Sequence, residues 1–163
     1  MTRVRWLITL TSICTLILAG VGAFTAAATA RWGPTRAGST SGGPERITLE
    51  KFKHGKILAN AKGFTIYAFT RDATNKDKCV AIKGCKQTWP PVTTTGKPVA
   101  GTGVKQSLLG TITVPGVGKQ VTYNGHPLYT YSADGGPHQT FYVNFSMFGG
   151  RWPAVNAQGQ EVK

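Results

Sequence analysis

Apolar residues fall into two patterns along this 163-residue chain. From Trp6 to Ala30 they form one uncharged run with its apolar centre at Leu16-Ile17-Leu18. From Arg46 onward they come in runs of a few residues, many alternating with polar ones and punctuated by Gly, Pro and Asn. A period of two sends successive side chains to opposite faces of a strand. In Thr65-Ile66-Tyr67-Ala68-Phe69-Thr70, Tyr67 and Phe69 share one face, and Ile66 and Ala68 the other. Further on, Tyr129 and Tyr131 lie opposite Leu128 and Thr130 in the same way. Asn124-Gly125, between Val121-Thr122-Tyr123 and Leu128, supplies the positive φ angles of a tight hairpin, and Ala61-Lys62-Gly63 predicts its earlier counterpart. Pro115-Gly116-Val117-Gly118 and Asp134-Gly135-Gly136-Pro137 read as further turns. The one helical candidate beyond the leader is the short stretch from Lys105 to Leu109. The pattern predicts an all-β fold following an N-terminal apolar leader helix.

The chain is written twice. Tyr67-Ala68-Phe69-Thr70-Arg71-Asp72 recurs as Tyr129-Thr130-Tyr131-Ser132-Ala133-Asp134, and a Trp-Pro follows each copy, at Trp89-Pro90 and Trp152-Pro153. Aligned without a gap, residues 89–99 and 152–162 share five identities in eleven positions, where ordinary composition gives about one. Gly63 precedes Tyr67 by four residues, as Gly125 precedes Tyr129. Two copies are too few for a solenoid, so the expectation is two homologous repeats packed pseudo-symmetrically on one shared core. The domains follow as a leader at 1–30, a linker at 31–45, a first repeat at 46–109 and a second at 110–163.

The leader begins with Arg3 and Arg5 and closes on Ala28-Thr29-Ala30, a small-x-small pattern that reads as a secretory signal cleaved after Ala30. The uncharged run is also long enough to span a bilayer, so an uncleaved anchor is the alternative. Both readings make the protein exported, to the outside or to the cell envelope. The Gly/Ser/Thr/Pro-rich stretch that follows, to Pro44, lacks the apolar surface to offset the entropy of ordering it and reads as a flexible spacer.

Charge adds a candidate partner. The chain has 19 Lys+Arg against 6 Asp+Glu. Residues 46–105 carry twelve basic and three acidic residues, and residues 106–163 three and two, so the excess lies on the first repeat. Lys76, Lys78, Lys83 and Lys86 crowd its cysteine loop. Such a patch attracts anionic wall polymer or lipid headgroups with steep salt dependence; nucleic acid is not expected for an exported protein. The bland counterpart is a solvated face that maintains solubility. Beyond Cys14 in the leader, the only cysteines are Cys79 and Cys85. Export favours a disulfide between them, and their spacing is not that of a Cys-x-x-Cys redox or metal motif. At the same offsets from Trp152 stand Tyr142 and Phe148, so the bridge is expected to replace an aromatic contact of the second repeat.

With its doubled Tyr-x4-Asp (Tyr67 to Asp72, Tyr129 to Asp134), the chain resembles the bacterial secreted-repeat proteins named for that motif, often labelled predicted lipoproteins. Cys79, Cys85 with Trp89-Pro90-Pro91, the segments Gly101–Val104 and Ser107–Gly110, and Gln120–Tyr129 strengthen the resemblance, which covers residues 56–162. It implies an exported envelope protein of unestablished molecular function. One departure stands out. Cys14 follows Ser12-Ile13 in mid-run, without the small residue that lipidation needs before the cysteine.

Candidate chemistry is sparse. The motif residues Tyr67, Phe69, Asp72, Tyr129, Tyr131 and Asp134, with Trp89 and Trp152, read first as structural: aromatics packed inward and each Asp closing the following turn on nearby backbone N–H groups. The functional counterpart pairs Asp72 with Asp134 as acid and base. His126, His138 and Met147, with His54 before the first repeat, form a weak metal-ligand set that matches no standard spacing. No Gly-x-Ser-x-Gly, phosphate loop or His-Glu-x-x-His occurs, and Ser132 and Ser146 have no evident base. The expectation is a non-catalytic binding or structural module with a basic face and no cofactor; the alternative is a small metal- or redox-linked binding protein.

Overall fold

The structure is a computed structural model that describes residues 43–53 and 55–162. The leader, its cleavage site, nearly all of the linker and His54 lie outside the described residues.

Each repeat opens on a β-hairpin. In the first, β1 (Arg46–Phe52) pairs antiparallel with β2 (Gly55–Asn60), and β3 (Val99–Ala100) adds to β1 in parallel. In the second, β4 (Leu109–Val114) pairs with β5 (Gly118–Tyr123), and β6 (His126–Pro127) folds back on β5. Asn124 and Gly125 turn that last hairpin at φ 49° and 79°, and Gly63 turns the first repeat at φ 81°. Positive φ carries no Cβ penalty at glycine, which accounts for the recurrence of Gly at this turn in both repeats. The chain ends in two small ladders, β7 (Phe145–Met147) with β8 (Gly150–Trp152) and β9 (Ala154–Val155) with β10 (Glu161–Val162). The helical stretch expected near Lys105 is a single 3-10 turn, Gln106–Leu108. The cysteine loop adds two helical turns that alternation gave no sign of, a 3-10 turn at Cys79–Ala81 and α1 at Cys85–Thr88.

The two Tyr-containing segments run antiparallel beside one another, and the tyrosines pair with each other. Tyr67 N–H donates to the Tyr129 carbonyl, and Tyr129 N–H to the Tyr67 carbonyl, both at 2.9 Å. On their outer sides each segment meets the Trp-Pro segment of the other repeat. Ala68 N–H donates to Pro153 O and Thr130 N–H to Pro90 O, both at 2.9 Å. Thr70 N–H donates to Arg151 O at 3.0 Å, and Ser132 N–H to Thr88 O at 2.9 Å. Every one of these bonds crosses between repeats, and each has its counterpart 62 or 63 residues away. The halves therefore interlace strand by strand, a closer relation than the face-to-face packing the duplication alone suggests.

Interlacing covers both faces of the central segments. Ile66, Ala68 and Leu128 enter one apolar cluster with Ile47, Leu58, Val92, Val121 and Val155, while Tyr67, Phe69 and Tyr129 enter a second with Trp89, Trp152 and the two cysteines. Both clusters draw on both repeats, so burial of apolar surface holds the halves together as one core.

Candidate functional site at the crossed Tyr-Asp junction

Two indole rings lie at the centre of the second cluster. Trp89 and Trp152 stack with centroids 4.1 Å apart and planes 1° from parallel, and both are fully buried. Phe69 of the first repeat stacks on Trp152 at 4.2 Å, and Tyr131 of the second covers Trp89 at 4.2 Å. Tyr67 meets Trp89 edge-on, and Tyr129 meets Trp152 edge-on, each at 5.2 Å. Stacked and edge-to-face geometries align the ring quadrupoles favourably, beyond the gain from burial itself.

The motif carboxylates take the hydroxyls of these tyrosines, and they do so across the junction. Tyr129 Oη donates to Asp72 Oδ2 at 2.8 Å; Tyr67 Oη donates to Asp134 Oδ2 at 3.1 Å. Each Tyr-x4-Asp motif thus bonds to the other repeat's copy. The turn-closing role expected of the aspartates holds for Asp72, whose Oδ1 accepts the Lys78 N–H at 2.8 Å. It does not hold for Asp134, whose Oδ1 is buried without a hydrogen-bond partner. The reason lies in the loops: the cysteine loop brings a backbone N–H back to Asp72, whereas the residues after Asp134 run to Gln139, whose side chain takes the Gly135 N–H instead.

Burial pushes the Asp72 carboxyl up to about 7, against the pull of its bonds from Lys78 and Tyr129, with Asp77 adding a smaller upward push. Burial likewise raises Asp134 to about 6, against the pull of the Tyr67 bond. Removing solvent penalises the charged form of an acid. Tyr67 and Tyr129 are raised as well, by burial first and then by the charge of the carboxylate each faces.

Cys79 and Cys85 form a disulfide with Cα atoms 5.4 Å apart, buried against the same cluster. Tyr142 and Phe148, at the equivalent offsets, pack on this cluster too. Tyr142 makes its ring contacts with Tyr131 at 4.2 Å and Phe145 at 5.8 Å and not with Phe148, so the aromatic contact expected in place of the bridge is not formed between these two residues. Lys76, Lys78, Lys83 and Lys86 are exposed on the cysteine loop, and among the described residues the only ion pair is Arg151 with Glu161 at 3.8 Å.

The weak metal candidates lie apart in their contacts. His126 sits in β6 opposite Tyr123, His138 packs on Phe52 with ring centroids 5.6 Å apart, and Met147 lies in β7 against the aromatic cluster. Among the described residues no group of three or more His, Cys, Asp or Glu side chains is arranged to hold a metal ion. Ser132 and Ser146 are exposed. Ser146 lines a shallow hollow of about 340 Å³ with Met147, Gly149, Gly150 and Arg151. Among the described residues no helix is long and apolar enough to cross a membrane.

Two features of the junction escaped sequence reasoning. The exchange of Tyr-Asp partners carries no sequence signal, because a bond within a repeat and one between repeats use the same residues. Tyr142 as an extension of the ring column was visible only as a cysteine equivalent.

Comparison with curated proteins and with solved structures finds no match to the chain. A family model described as a secreted repeat of unknown function matches it twice, over residues 49–93 and 110–156. Each match contains one Tyr-x4-Asp motif and one Trp-Pro segment, the units that interlace at the junction. The chain belongs to this family of secreted repeats.

Proposed function

We propose that the protein is a non-catalytic binding module of the cell envelope, and that its ligand is an anionic envelope component, a wall polymer or lipid headgroups. The observation that carries this reading is the condition of Lys76, Lys78, Lys83 and Lys86. All four are exposed, and none is in an ion pair among the described residues. Their loop is held at two places, by the Cys79–Cys85 bridge and by the Lys78 N–H bond to Asp72. Holding like charges on a short ordered loop concentrates positive potential and lowers the entropy lost when a polyanion docks. The non-catalytic part of the reading is supported by the crossed bonds, since the tyrosines engage both motif carboxylates.

The test is co-sedimentation with phosphatidylglycerol vesicles and, separately, with a soluble anionic wall polymer, each across a salt series. Binding is expected to fall steeply with salt, and replacing all four lysines by Gln should weaken it more than tenfold, since each lysine near an anionic surface contributes about 1 kcal/mol. The two arms identify which polyanion is bound. Binding that survives high salt, or a variant that binds as well as the natural protein, contradicts the reading.

A further inference from the structure

The aromatic rings at the junction form a column that reaches the surface. From Phe69 it passes to Trp152, Trp89, Tyr131 and Tyr142, with successive centroids 4.1 to 4.2 Å apart. The tryptophans are fully buried, Tyr131 and Tyr142 are half-buried, and Phe145, beyond Tyr142, is 41% exposed. Beside the tryptophan pair stand two phenols, each already donating its proton to a carboxylate.

We propose that this column is a one-electron relay, through which an outer-sphere oxidant at the Tyr131–Tyr142 face oxidises the interior and leaves a neutral tyrosyl radical on Tyr67 or Tyr129. The tryptophan pair first loses one electron, which passes across the bridging rings of Tyr131 and Tyr142 to the oxidant. Tyr129 then returns an electron to the pair while its hydroxyl proton moves along the 2.8 Å bond to Asp72 Oδ2. The products are a tyrosyl radical, a carboxylic acid and restored tryptophan, and only the electron has left the protein. Tyr67 and Asp134 are equipped for the same step over 3.1 Å.

Three features favour this chemistry over inert packing. Parallel indoles in contact share a positive charge between two rings, which lowers the cost of creating it. The nearby carboxylates oppose the penalty of placing that charge in a dry interior. Each phenol also has a base in line, without which a buried tyrosine has nowhere to send its proton. The upward shift of Asp72 to about 7 makes that base stronger than an ordinary carboxylate. Tyr123 is the internal contrast: it is equally buried, but its hydroxyl donates to the Ala157 carbonyl at 2.9 Å, which accepts no proton.

The relay is tested on the exported protein by flash oxidation with a photogenerated ruthenium(III) polypyridyl complex at mildly alkaline pH, followed by electron paramagnetic resonance and transient absorption. A long-lived tyrosyl signal should appear, and its formation should slow at least twofold in deuterium oxide. The Y67F/Y129F double variant should lose that signal, whereas Y123F should retain it. Because Y67F/Y129F removes two interior hydrogen bonds, a second variant keeps the test sound if that protein does not fold. Y131L/Y142L removes the two half-buried bridging rings, leaves the Tyr67 and Tyr129 hydrogen bonds in place and should slow appearance of the signal at least tenfold. The proposal is overturned by absence of a long-lived radical, by survival of the signal in folded Y67F/Y129F, or by an unchanged rate in Y131L/Y142L.

Discussion

Asp72 and Asp134 occupy equivalent places and accept equivalent hydroxyls, yet only Asp72 has a donor on its second oxygen. Both hold their protons more tightly in the folded protein than the ordinary value of 3.8. Between about pH 4 and 7 the folded chain therefore keeps a proton on Asp72 that the unfolded chain has released, and Asp134 behaves likewise up to about 6. These groups contribute most to stability below the unfolded value, and the contribution is lost as pH rises through the folded one. The melting temperature should accordingly fall as pH is raised from 4 to 7 and level off above. Asp72→Asn should flatten much of that slope; a melting temperature that climbs across the window contradicts the assignment. Of this chemistry, the recurrence of Tyr and Asp at fixed spacing and the turn-closing bond of Asp72 were legible in the sequence. The perturbed carboxyls were not, because they depend on burial by residues some sixty positions away.

Local elements followed the sequence where backbone preference is strong. Asn124-Gly125 turns a hairpin because both residues tolerate positive φ, and alternation in the Tyr67 and Tyr129 segments survives because each of their two faces enters its own apolar cluster. The cysteine loop is different. Its helical turns at Cys79–Ala81 and Cys85–Thr88 are too short for any periodicity, and they are held by the disulfide, the Asp72 bond and the Asp77 carboxylate, which accepts the Val80 N–H at 3.0 Å. Reducing the Cys79–Cys85 bridge should cost about 2 kcal/mol in the chain-entropy model for so small a loop. Amide exchange should quicken mainly within residues 73–88, leaving β4 and β5 protected. Uniform loss of protection across the molecule would mean that the bridge supports the whole core and not this loop.

For the molecule as a whole, duplication predicts a shared core but not how the copies share it. Identical residues line the junction whether each repeat folds on itself or exchanges strands with its twin, so no alignment of the copies separates the two. The structure exchanges them, in backbone pairing, in ring stacking and in the Tyr-Asp bonds. A core in which every layer needs both repeats explains why two short copies suffice as one domain. It also places the tryptophan pair where the halves meet. Double-mutant cycles separate exchange from self-folding, because coupling between side chains is appreciable only where they touch. With Tyr→Phe and Asp→Asn substitutions, Tyr129 with Asp72 and Tyr67 with Asp134 should each show a coupling of about 1 kcal/mol, whereas Tyr67 with Asp72 and Tyr129 with Asp134 should be additive within about 0.5 kcal/mol. Coupling confined to the pairs within each repeat would mean that the halves do not interlace.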